Sequence, residues 1–137
     1  MTITDAAFVR NEANLKELSG AIVDSALKVH RILGPGLLES AYEHCLAFEL
    51  SRRGFEIKRQ VILPIEYEGE TLEVGYRLDL LVEEKIVVEI KSVEKLMPLH
   101  EAQLLTYLKL SRYTIGLLMN FNVTLLKLGL KRLRLDR

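Results

Sequence analysis

Cysteine is almost missing from this 137-residue chain: Cys45 stands alone, so there is no internal disulfide framework. A lone thiol fits a reducing compartment, and as a small apolar residue it is expected in a core rather than as a nucleophile. Also missing is any run of the roughly 18 apolar residues that a membrane span needs. The opening Met-Thr-Ile-Thr-Asp-Ala-Ala lacks the basic-then-apolar pattern of a secretory signal. The expectation is a soluble, cytoplasmic protein with no membrane partner. Net charge is missing as well, since 19 Lys and Arg balance 19 Asp and Glu. That balance argues against a protein that holds nucleic acid through overall positive charge. No repeat, low-complexity tract or linker interrupts the chain, and nothing marks a zinc module or a groove-reading helix.

What is present suffices for one core. Domains usually run ~100–200 residues, and a chain of this size buries roughly two thirds of its unfolded surface without a metal or disulfide staple. Residues 1–137 are therefore read as a single domain. The charges are not evenly spread. Five of the 19 basic residues but only one of the 19 acids lie from Lys127 onward, which leaves 14 basic against 18 acidic residues before it. The basic end, with Lys131, Arg132, Arg134 and Arg137, suits phosphate neutralisation. It reads equally well as a solvated terminus.

Hydrophobic spacing sets the elements. Leu15, Leu18, Ile22, Ala26, Val29 and Leu33 recur every three or four residues, which places them on one helical stripe starting near Asn14 or Asn11 and stopped by Gly34-Pro35. A second helix spans about Leu37 to Arg53, with Leu38, Tyr42, Leu46 and Leu50 as its stripe, Ala41 and Cys45 beside it, and Gly54 as its stop. The period then falls to two. Val61 to Tyr67 and Leu72 to Val82 alternate around a Glu68-Gly69 turn, and a third strand, Ile86 to Lys91, follows Glu83-Glu84-Lys85. Links this short make an antiparallel meander. Pro98 suits the first position of a third helix, with Ala102, Leu105 and Leu108 inward. The apolar run Ile115 to Met119 reads as a strand covered on both faces. Because it follows a crossover helix, it should lie parallel to the third strand. Val123 to Leu135 forms a final strand or two short ones.

Several residues break this pattern. Glu89 and Lys91, two apart, share a strand face opposite to Val88 and Ile90. Counting outward from a closing pair Val82–Ile86 puts Asp79 directly across from Glu89, with Cβ atoms ~5 Å apart. Facing carboxylates need a compensating cation. Lys91 alone would make the group a structural ion-pair cluster, and a solvated sheet face is the other plain reading. A divalent ion would suit two carboxylates plus a backbone carbonyl such as that of Ile90. Glu39, in the first turn of the second helix, flanks the buried stripe, although an acid there also gains from the helix dipole. Gln103 and Tyr107 share a helical face with His100, an arrangement that is commonly structural.

Gly36-Leu-Leu-Glu39-Ser-Ala-Tyr42 resembles the signature of the GxxExxY protein family. Asp79 followed by Glu89-Ile90-Lys91 resembles the core motif of the PD-(D/E)XK nuclease superfamily, and Gln103-Leu-Leu-Thr-Tyr107 is similar to the QxxxY element of its exonuclease branch. The elements fall in the expected order and the resemblance spans roughly residues 15–130. One departure is Leu78, which stands where the motif's name has Pro. The resemblance implies a restriction-endonuclease-like α/β fold: a mixed central sheet, made of the antiparallel meander plus a parallel strand after a crossover helix, flanked by helices. It implies Mg²⁺ or Mn²⁺ held by Asp79, Glu89 and the Ile90 carbonyl, with Glu39 contacting the metal directly or through water. Lys91 would orient or deprotonate the attacking water, or steady charge on the phosphorane-like transition state. Gln103 and Tyr107 would position Lys91 or a substrate phosphate. The implied activity is hydrolysis of phosphodiester bonds, in DNA sooner than RNA. A homodimer is compatible with cutting two strands, though no residue singles out an interface. The competing readings are a nucleic-acid or protein adaptor with this fold and little turnover, and a structural subunit, since fold does not fix function.

Overall fold

The computed structural model describes residues 3–136, and side chains from residue 14 onward. Helix α1 runs from Ile3 to Leu33. It passes through both Asn11 and Asn14, so neither is a cap; no Gly or Pro occurs before Gly20 to give the helix a reason to begin there. Its stripe is as spaced, with Leu18, Ile22, Ala26 and Val29 buried and Leu15 and Leu33 packed at the margin. Gly34 ends it at φ +67°, its N–H donating to the His30 carbonyl at 2.7 Å. Helix α2, Glu39–Arg52, buries Tyr42, Leu46 and Leu50 completely. Leu38, expected on that stripe, precedes the helix instead and is 78% exposed. Cys45 packs at the edge of the core, as a small apolar residue should.

The meander forms, but each of its first two strands is cut in two. The first arm becomes β1 (Ile57–Ile62) and β2 (Ile65–Tyr67), and the second β3 (Glu70–Leu72) and β4 (Arg77–Val82). Pro64 has no N–H for a ladder, and Gly75 adopts φ +92°. Consequently β2 and β3 leave the main sheet as a separate ribbon. Its turn has positive φ at both Glu68 and Gly69, which matches the right-handed twist of the strands.

Strand β5 (Ile86–Lys91) completes the meander. Helix α3 (Pro98–Ser111) then carries the chain to β6 (Ile115–Asn120), parallel to β5, and β7 (Leu130–Arg134) returns antiparallel. A 3₁₀ turn, Leu126–Gly129, leads into β7, so the C-terminal segment holds one strand. The sheet order is β1-β4-β5-β6-β7. Pro98 is the first helical residue as expected, but α3 sits rotated from its expected stripe: Leu104, Tyr107 and Leu108 are buried while Ala102 and Leu105 are exposed. The cause lies across the interface at Gly116, where a Cβ would stand 2.9 Å from Leu104 Cδ1. The missing side chain is the seat for Leu104.

Two apolar clusters sandwich the sheet. One gathers α1 and α2 over Leu80, Val82, Ile86, Val88, Ile90, Leu117 and Met119. The other gathers α3 over Leu78, Leu81, Val87 and Leu118. Each such side chain, fully buried, contributes ~1.5–3 kcal/mol, so both helical layers are fixed to one rigid sheet. This is the mixed, helix-flanked, restriction-endonuclease-like architecture that the resemblance implied. Among the described residues, no helix is long and apolar enough to cross a membrane.

Candidate active site

The loop Glu83-Glu84-Lys85 is closed by Val82 opposite Ile86, the expected register, and the ladder continues through Leu81–Val87 to Leu80–Val88. There it stops. The next pair is Asp79 and Glu89, and each carboxylate takes a backbone N–H from the opposite strand in place of a ladder bond. Asp79 N–H donates to Glu89 Oε1 at 3.1 Å, and Ile90 N–H donates to Asp79 Oδ2 at 2.8 Å. The β1–β4 ladder breaks at the same level: it pairs Arg59 with Leu80 and Val61 with Leu78 but omits Gln60, which sits at φ +52°. Alternation also fails here. Leu78 packs under α3 and Leu80 under α1 and α2, although residues two apart should share a face. The chain turns over at Asp79, and the evenly alternating strand expected from Leu72 to Val82 is not what forms.

Glu89 and Lys91 lie on the α3 side of β5. Lys91 Nζ reaches Gln103 Oε1 at 3.4 Å, so the sheet and α3 meet through a polar bridge. Tyr107, one turn further along α3, has its phenol pushed up, first by burial and then by the charge of Glu89, with Gln103 acting the other way. It therefore stays protonated and able to donate. The backbone at Lys91 is fixed from β6, where Phe121 N–H donates to the Lys91 carbonyl at 2.9 Å. Asn120 grips the following segment in both directions, accepting from Val93 N–H at 3.0 Å and donating to the Val93 carbonyl at 2.9 Å.

The Gly36-to-Tyr42 signature serves the same end of the sheet. Gly36 adopts φ +100°. The Tyr42 hydroxyl donates to the Gly34 carbonyl at 2.6 Å and accepts from Leu37 N–H at 3.1 Å, while its ring stacks on Phe121 at 4.6 Å. Ser92 Oγ donates to the Leu37 carbonyl at 2.7 Å, tying this turn to the residue after Lys91. Glu39, expected to flank the buried stripe, is instead exposed as the first residue of α2. The acid buried next to this end of the sheet is Glu43, one turn on. Its carboxylate pairs with Arg59 at 2.7 Å and accepts from Gln60 Nε2 at 2.6 Å, and the same Gln60 nitrogen lies 3.4 Å from Asp79 Oδ1. Sequence reasoning missed Glu43 and Gln60. The available signal was an acid adjacent to Tyr42 on the buried stripe, four residues from Glu39.

Burial first, and then the charge of Asp79, pushes Glu89 up to about 8, with Lys91 drawing it partly back. Two charged carboxylates at this spot thus call for more positive charge than Lys91 provides. The donor set fits a hard divalent cation: two carboxylates and a carbonyl, all oxygen. Ile90 N–H is turned to Asp79 Oδ2, which sets the Ile90 backbone beside the pair. Among the described residues, no three His, Cys, Asp or Glu side chains stand together as a metal-holding group. Glu39 accordingly does not close on the Asp79–Glu89 pair as a third carboxylate.

A family model described as the PD-(D/E)XK nuclease superfamily matches residues 16–133. Neither the curated proteins nor the solved structures gave a match. The match takes in α2, α3 and the sheet as far as Leu133 in β7, and so every residue of the Asp79, Glu89, Lys91 and Gln103 cluster. The chain belongs to the PD-(D/E)XK nuclease superfamily.

Proposed function

We propose that this chain, acting as one catalytic unit, is a divalent-metal-dependent nuclease that hydrolyses phosphodiester bonds in DNA. The observation that carries this reading is the crossed pair, in which Asp79 and Glu89 replace two ladder bonds at the point where β4 leaves β5. A sheet surrenders regular pairing there and gathers charge beside Lys91, which packing alone does not require. Within the superfamily, the resemblance of Gly36, Glu39 and Tyr42 to the GxxExxY signature supports reading the chain as a GxxExxY protein.

Asp79, Glu89 and the Ile90 carbonyl would hold Mg²⁺ or Mn²⁺. When bound, such an ion supplies a water acidified toward neutral pH and a clamp on developing negative charge. Lys91 orients the attacking water or meets charge on the phosphate. Gln103 holds the Lys91 ammonium, and the protonated Tyr107 offers a hydrogen bond to a phosphate oxygen. Glu39, exposed at the start of α2, takes part through water. On β7, Lys131, Arg132 and Arg134 supply charge for the DNA backbone, although Lys131 is shared with Glu101 at 3.4 Å and Arg134 with Asp136 at 2.6 Å. Arg137 lies outside the described residues. A homodimer is compatible with this reading.

The test uses labelled single- and double-stranded DNA with Mn²⁺, beside Lys91→Ala. Cleavage is expected to fall by about 10²–10⁴-fold in the variant, the usual range for a positioned proton-transfer group. Cleavage that persists in Lys91→Ala overturns the site. Binding without any cleavage by the unaltered protein makes it an adaptor.

A further inference from the structure

Beside Gln103 and Tyr107 the surface stays open. A groove of about 290 Å³ runs between α3 and the segment entering β4, lined by Tyr76, Leu99, Ala102, Gln103, Tyr107 and Leu110 among others. Not one of its lining residues carries a charge. Tyr76 is held in place by its backbone, its carbonyl accepting from Leu63 N–H at 2.9 Å. The residue nevertheless remains 44% exposed, its ring tilted 53° to the Tyr107 ring at 5.9 Å. Leu99, across the groove on α3, is 77% exposed.

The groove is continuous with the catalytic cluster. Gln103 lines it and is bonded to Lys91, and Tyr107 lines it and lies in the field of Glu89. A substrate whose phosphate lies at Lys91 therefore has its adjoining group at the mouth of an uncharged slot with an aromatic wall. The group next to a phosphodiester that is uncharged, planar and able to stack is a nucleobase. A paired base in a duplex has both faces and its pairing edge engaged, so only an unpaired base can enter.

We infer that this groove is a subsite for an unpaired nucleobase beside the scissile phosphate, with Tyr76 as its stacking ring. The substrate class is then single-stranded nucleic acid or a frayed end. The inference rests on the nuclease reading above for the phosphate's position, but its test does not require turnover.

Binding is measured by fluorescence polarisation in EDTA, so that no ligand is cut. The ligands are a short single-stranded oligodeoxynucleotide, its blunt duplex, and the same single strand carrying abasic residues. The unaltered protein is expected to bind the single strand about tenfold or more tighter than either of the others, the scale of one base stacked on an aromatic ring. Tyr76→Ala should lose that factor on the intact strand and nothing further on the abasic one, while Tyr76→Phe, which keeps the ring, should retain it. Equal binding of intact and abasic strands by the unaltered protein, preference for the duplex, or no single-strand binding overturns the inference. If Tyr76→Ala fails to fold, the comparison of intact and abasic strands still decides. Stacking-dependent binding with no cleavage in Mn²⁺ would defeat the nuclease reading and leave the groove assignment standing. Base-independent cleavage of both substrates would do the reverse.

Discussion

Two glutamates in different regions are buried to nearly the same extent, Glu49 at 7% exposure and Glu89 at 5%, yet the protein treats them in opposite ways. Glu49, on α2, is covered by bases. Lys28 lies at 2.9 Å, Arg53 at 3.1 Å and Arg52 at 3.6 Å, and these long side chains reach solvent themselves. The hydrogen bond from Lys28 is the main reason its carboxyl is held below the ordinary range. Glu89 is enclosed by packed sheet and α3, with Asp79 as its nearest charged neighbour, and is pushed up to about 8. The enclosure of Glu89 raises it first and the charge of Asp79 adds to that, whereas at Glu49 the hydrogen bond from Lys28 outweighs the cost of burial. The first carboxylate is satisfied by what the fold brings, and the second is left in need of a cation. A perturbed acid of the second kind, set beside a lysine, marks a candidate site.

The sharpest way to break that comparison is to remove each acid. Asp79→Ala or Glu89→Ala is expected to reduce Mn²⁺-dependent cleavage about 10³-fold or more, near the scale at which a single catalytic electrostatic contact is lost. Glu49→Ala should leave cleavage per folded molecule unchanged while lowering the melting temperature. Equal loss of activity in both would erase the distinction. The next largest effect is on pH dependence without metal. Glu89 holds a proton in the folded state that the unfolded chain has released, so its contribution to stability is fullest below about 4.5 and falls as pH rises to about 8. The fall amounts to a few kcal/mol, on the order of what such a shift implies. Glu49 acts in the opposite sense, its contribution present above the ordinary carboxyl value of 4.5 and lost as pH falls through its lowered folded pKa. Denaturant melts of the unaltered protein and Glu89→Gln across pH 5 to 8 give the difference directly; parallel curves would refute it.

Metal should reverse the Glu89 penalty. Mg²⁺ or Mn²⁺ at ~100 times its dissociation constant is expected to add ~2.7 kcal/mol, read as a rise in melting temperature absent in Asp79→Asn. The smallest effect is expected at Gln60. Gln60→Gly accommodates the φ of +52° without strain but removes the bridge from Glu43 to Asp79. It should lower cleavage by about tenfold or less with little change in melting temperature, since one net hydrogen bond is worth ~1 kcal/mol.

Much of this was legible in the residues themselves. The stripe of α1, the Tyr42, Leu46 and Leu50 part of that of α2, Pro98 as a helix start, the parallel β6 and the Val82–Ile86 register all follow from local spacing and turn chemistry. That register alone brought Asp79 opposite Glu89. What local spacing could not carry depends on contacts distant in sequence. The rotation of α3 depends on Gly116 across the interface. The turnover of the chain between Leu78 and Leu80 depends on a carboxylate taking the place of a ladder carbonyl. The burial of Glu43 instead of Glu39 depends on Arg59 and Gln60 arriving from β1.

The crossed pair also makes two backbone amides into reporters. The N–H groups of Asp79 and Ile90 end on carboxylates, where their neighbours in the ladder end on carbonyls. A carbonyl keeps its charge at every pH, whereas a carboxylate changes with each proton or cation it takes up. Those two amide resonances will therefore shift when the site titrates or loads, while the amides of Val82 and Ile86 a few residues away stay still. An NMR titration can follow occupancy of the site from the main chain alone, with no substrate present and no label on the site itself.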